Sequence, residues 1–140
     1  MFKRILVCCD GSQHGRCAGE FAVSLAREQN AEIELLSVVE PLPAYMASPE
    51  VIEEECAFDT ECLVKKQQHI LSLAADYGIK AEAKVVRGKA AQVILDTARH
   101  DGADLIVLGR HTGHSMWVHA TQHTANQLLD EAPCSVMVVG

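Results

Sequence analysis

A chain of 140 residues with 12 basic and 19 acidic side chains carries −7 with histidine neutral, which excludes a nucleic-acid binder held by phosphate contacts. At 49% hydrophobic and 22% charged residues it can bury a core, as one domain over residues 1–140, and is not a disordered acidic tail. Seven histidines equal the acidic excess, so the net charge should respond to pH near ~6.5.

The first apolar run, Ile5 to Cys9, ends at Asp10-Gly11-Ser12 and predicts a buried strand closed by a turn. Ser12 is a good cap for a helix over Gln13–Gln29. Ala18, Phe21, Ala22, Leu25 and Ala26 give that helix its apolar face. Ile33 to Val39 predicts a second strand, stopped by Pro41 and Pro43, with a loop to about Pro49. An acidic start at Glu53-Glu54-Glu55 suits the opening of a long helix to about Tyr77, with Leu63, Ile70, Leu71 and Ala74 inward and Gly78 ending it.

Lys80 to Arg87 predicts a third strand, broken by Gly88. A helix follows over Ala90–His100, then a strand over Ala103–Gly109 and a polar loop over 110–114. A last helix runs from about Ser115 to Glu131, and a fifth strand from Ser135 to Val139. The order is βαβαβαβαβ with nearly all-apolar strands. That predicts an α/β fold: a doubly wound, five-stranded parallel sheet with helices on both faces.

No stretch of ~18 apolar residues is present, so no membrane span is expected. The amino-terminal run lacks the length and small-residue cleavage site of a signal peptide, and the cytoplasm is the expected compartment. The six cysteines read as free thiols packed as small hydrophobes, because Cys8 and Cys9 are adjacent within an apolar run.

In such folds ligands bind beyond the carboxyl ends of the strands, where strand order reverses. The candidates are Asp10, Gly11 and Ser12 after the first strand and Val39 and Glu40 after the second. Arg87 and Gly88 follow the third, and Gly109 to Ser115 the fourth. Gly109 and Gly113 allow close backbone approach, and the helix start beyond them could present N–H groups to an anion. No catalytic triad, carboxylate pair or nucleophile motif is present.

The segment Ile5 to Ser12 with the helix Ala18–Ala26 resembles the opening of the universal stress protein family. Ala103 to Gly109 resembles its fourth strand, and Glu131 to Val139 its closing segment. The resemblance implies a stress-response regulatory protein that dimerises through its last strand, Ser135 to Val139. It also implies an adenine nucleotide, ATP or AMP, at the strand ends. Asp10 matches the acidic residue that members place near base and ribose, and Val39 the position whose backbone faces adenine. Leu108, Gly109, His111, Gly113, His123 and Thr124 fall in the segment that holds the phosphates. The family motif there is Gly-x2-Gly-x9-Gly-Ser/Thr. Gly109 is its first glycine, but Thr112, Gln122 and His123 replace later motif residues, and Gly113 stands one place late. Two readings therefore stand: a nucleotide-binding regulator, and an interaction protein of the same family whose pocket is degenerate.

Four histidines, His111, His114, His119 and His123, crowd this segment. His119 and His123 are one helical turn apart, a spacing that suits a metal, an anion or a plain polar surface alike; no metal is expected. If they face an anion, its affinity should rise as pH falls from about 7.5 to 6.

Overall fold

The computed structural model describes residues 1–110 and 118–140, with side chains for all of these except 118–123. Nine elements alternate along the chain. They are β1 (Arg4–Cys8), α1 (Gln13–Gln29), β2 (Glu32–Val39), α2 (Pro49–Asp76), β3 (Ala81–Arg87), α3 (Ala90–Asp101), β4 (Leu105–Gly109), α4 (Val118–Glu131) and β5 (Ser135–Val139). The strands form one sheet in the order β3-β2-β1-β4-β5, and every pairing is parallel. Val7 of the central strand pairs with Leu35 on one side and Val107 on the other. The chain winds outward to β3 and then returns to the far side of β1. Strand order thus reverses between β1 and β4, which opens a crevice at their carboxyl ends.

Side-chain alternation along the strands supplies two cores. Ile5, Val7, Ile33, Leu35, Leu105 and Val107 face α1 and α2, meeting Ala18, Ala22, Ala26, Ile70 and Ala74. Leu6, Leu36, Ile106 and Leu108 face the other way, onto Ile94, Leu95 and Ala98 of α3 and Leu128 of α4. Truncating one such side chain, as in Leu35→Ala, costs about 2–5 kcal/mol through lost transfer energy and a cavity.

Helix α1 starts where Ser12 Oγ accepts the Gly15 N–H and ends at Asn30 in the left-handed region. Its buried stripe is Gly15, Ala18, Gly19, Ala22, Val23 and Ala26. Phe21, expected on that face, is instead 43% exposed. The physical reason is close packing: a Cβ on Gly19 would lie 2.7 Å from Ile70 Cδ1, so the small residues set the helix rotation and Phe21 falls off the seam. The edge strands are less buried than the three inner ones. β3 exposes Glu82, Ala83 and Lys84, and β5 is only partly buried.

Helix α2 has 28 residues, about 42 Å of helix, against strands of five to eight residues. Its buried residues are Cys56, Gln67, Ile70 and Ala74. It begins at the carboxyl ends of the strands and overshoots them, and its middle turns, from Phe58 to Lys66, line the crevice. Arg87 at the end of β3 holds that overhang by a two-pronged pair with Glu53, at 2.9 and 3.3 Å.

Candidate functional site

The turn after β1 is built from its own side chains. Gly11 takes φ +83°, which favours glycine, and lets the chain reverse into α1. Asp10 Oδ1 accepts the Ser12 N–H at 2.9 Å and the Ser12 hydroxyl at 2.5 Å, while Ser12 Oγ caps Gly15. Gly15 is required here, since a Cβ would lie 2.5 Å from Asp10 Oδ1. The carboxylate is thus fixed against the first turn of α1 and solvent-exposed, and Oδ2 has no partner among the described residues.

Val39 ends β2, buried, and its carbonyl accepts the Gly88 N–H at 3.0 Å. A ligand bonding to that carbonyl would share its second lone pair. Glu40 turns across to α3, where its Oε1 accepts the Ala90 N–H at 2.8 Å and supplies the cap that Lys89 does not. Gly88 lies at the end of β3 outside the cavity wall. Its φ of +151° makes the β3–α3 turn.

Leu108 and Gly109 end β4. What approaches Gly109 closely is the protein itself: a Cβ there would lie 2.6 Å from the His14 carbonyl group and 2.7 Å from the Gly15 nitrogen. The glycine expected to admit a ligand thus first admits the start of α1. His111, His114 and Gly113 lie outside the described residues. His119 and His123 lie on α4, with side chains outside them as well. Among the described residues no group of three or more His, Cys, Asp or Glu is placed to hold a metal.

These strand ends surround a cavity of about 620 Å³. Asp10, Gly11, Ser12, Val39, Leu108, Gly109 and Thr124 all line it. Leu36, Val38, Ile94 and Val138 make an apolar wall, and Glu40, Ala90, Ala125 and Asn126 complete the far side. Sequence reading missed the contribution of α2: Phe58, Asp59, Cys62, Leu63 and Lys66 close one side. Four of these recur at i, i+3, i+4 and i+7, a stripe visible in the sequence but indistinguishable there from an ordinary core face.

A buried chain of hydrogen bonds anchors that side. Gln67 Nε2 donates to Ser37 Oγ at 2.9 Å and to the Lys84 carbonyl at 3.1 Å, and Ser37 Oγ donates to the Cys9 carbonyl at 2.6 Å. Cys8 and Cys9 line the cavity but are chemically quiet. Burial, then the charge of Asp10, pushes the Cys9 thiol up to about 12, and burial raises Cys8 too. All six cysteines are free.

The fold and the crevice define a small doubly wound α/β domain whose site lies at the reversal of strand order. The universal stress protein family model matches residues 1–140. A universal stress protein from Thermus aquaticus, named for its place in the 3′ region of a QAH/OAS sulfhydrylase, is 31% identical over 140 residues, covering 99% of each chain. Universal stress protein YxiE of Bacillus subtilis is 31% identical over 154 residues, again covering 99% of each. The chain belongs to the universal stress protein family. Among solved structures, UspA of Lactobacillus plantarum superposes with a TM-score of 0.74 at 27% identity, covering 99% of this chain and 98% of that one. A family protein of Arabidopsis thaliana with AMP bound gives 0.66 at 16%, covering 98% and 90%. A universal stress protein in complex with cAMP gives 0.66 at 19%, covering 99% and 97%.

 No helix among the described residues is long and apolar enough to cross a membrane.

Proposed function

We propose that this chain is a cytoplasmic regulatory protein of the stress response that binds an adenine nucleotide, AMP or ATP, in the strand-end cavity with little or no turnover. The observation that carries the reading is the cavity itself. Its volume of about 620 Å³ falls within the usual ~300–1,000 Å³ of small-molecule sites, and it sits where strand order reverses. Its apolar wall of Leu36, Val38, Ile94 and Val138 suits a flat ring. Asp10 offers a fixed carboxylate with one open oxygen, an acceptor for ribose hydroxyls. Gly11, Ser12, Val39, Leu108, Gly109 and Thr124 would contact the ligand from the wall, and His111, Gly113 and His123 would meet its phosphates. Relatives of the same fold hold AMP and cAMP, which supports this ligand class.

The replaced motif residues, Thr112, Gln122 and His123, favour a second reading, an interaction protein with a degenerate pocket. A thermal-shift titration separates the two. Binding stabilises the fold by about 2.7 kcal/mol once free ligand stands a hundredfold above Kd. A melting temperature that climbs with AMP or Mg-ATP supports nucleotide binding. A flat response at millimolar nucleotide overturns it in favour of the interaction protein.

The proposal includes a homodimer. β5 is the last strand of the sheet, and its outer edge has no strand partner among the described residues. Val138 is half exposed beside partly buried Val136 and Met137. An open apolar edge invites pairing, and a second copy running antiparallel would close it.

A further inference from the structure

We propose that Lys66 recognises a phosphate of the ligand, so that the cavity favours a nucleotide over its nucleoside. The inference rests on the nucleotide reading above and specifies its ligand. Lys66 stands on the α2 stripe that faces the crevice, four residues after Cys62. Its Nζ donates to the Gly11 carbonyl at 2.5 Å, so the ammonium lies on the turn that follows β1. The stem runs beside the same turn: a Cβ on Gly11 would lie 3.4 Å from Lys66 Cδ.

The ammonium has three N–H donors, and one carbonyl uses one of them. No carboxylate pairs with it among the described residues, whereas neighbouring Lys65 pairs with Glu61 at 3.6 Å. Lys66 is also the one cation among the described residues of the cavity wall, which otherwise carries Asp10, Glu40 and Asp59. Two of those carboxylates are engaged by backbone N–H groups, but all three remain negative neighbours for any anion. The remaining donors of the ammonium can make a charge-assisted hydrogen bond to a phosphate oxygen.

Calorimetric titration of the full chain with adenosine and AMP tests this. AMP should bind about tenfold tighter than adenosine, the usual worth of one charge-assisted hydrogen bond. Lys66→Met should bring the two to within about twofold, and Lys66→Arg should keep most of the preference. Lys66 is exposed, so these variants should fold, and their melting curves without ligand check that. A Lys66→Met protein that keeps the AMP preference overturns the assignment while leaving nucleotide binding intact. Silence of wild type toward both adenosine and AMP overturns the nucleotide reading, and this inference with it.

Discussion

At the scale of single residues, the glycines and acids of the strand ends divide between building the site and touching a ligand. Gly109 belongs to the first group, because backbone of α1 occupies the space its side chain would need. Gly109→Ala should therefore lower the stability of the ligand-free protein by about 1–3 kcal/mol, as overpacking does. Urea denaturation without nucleotide reads this directly, and a loss below about 0.5 kcal/mol would contradict it. Asp10 does both jobs, one oxygen for its own turn and one left open. The sequence places Asp10, Ser12 and Val39 at strand ends by pattern alone. It could not show that Gly109 serves α1, because that contact joins residues about 95 positions apart and depends on how closely a helix approaches a strand.

At the scale of elements, α2 is the part least visible in the sequence. Strand positions were legible because apolar runs end sharply at Asp10, Pro41, Gly88 and Gly109. The rotation of α2 was not, since it is set by Gln67 docking on Ser37 and Lys84 and by Ile70 filling the notch at Gly19. Replacing Gln67 by Leu should cost about 1–3 kcal/mol by leaving buried polar groups unpaired, with a loss of cooperativity in α2 measurable by amide exchange. Equal exchange in both proteins would contradict this. A second hidden device lies on the α3 face of the sheet. Glu34 of β2, nearly buried, meets Arg4 at 3.1 Å and Lys84 at 3.0 Å, and Lys84 reaches Asp101 at 3.3 Å. Burial raises the Glu34 carboxyl. A hydrogen bond from Glu34, then one from His100, lowers that of Asp101.

The sign of the Asp101 effect follows from linkage. Its folded pKa lies below the unfolded value of about 3.9, so its contribution is complete above that pH and is lost as pH falls toward the folded value. Glu34 acts oppositely, because ionising it in the folded state becomes costly as pH rises past about 4.3. Asp101→Asn should therefore flatten the fall in stability below pH ~4. Parallel acid limbs in wild type and variant would contradict the linkage.

At the scale of the whole molecule, the doubly wound topology decides where the cavity opens, and the strand order decides which edge is free. β3 is one edge and carries exposed Glu82 and Lys84, charges that discourage pairing. β5 is the other edge and carries none between Ser135 and Val139. Sedimentation at micromolar concentration should show a dimer, and Val138→Lys should shift it toward monomer. A wild-type monomer would contradict pairing through β5. The sequence carried the βαβ order and the final apolar strand. Which strands become edges follows from the crossover after β3, a three-dimensional choice that local patterns do not record.

The central claim is that the strand-end cavity binds an adenine nucleotide through Asp10. Equilibrium dialysis of labelled AMP against wild type and Asp10→Asn tests it most directly, because Asn keeps an oxygen for the Ser12 turn while replacing the open carboxylate oxygen by an amide donor. Wild type should bind saturably and Asp10→Asn with an affinity about tenfold lower, at similar melting temperatures without ligand. No retention of millimolar AMP by wild type, or equal affinity of the two proteins, would contradict it.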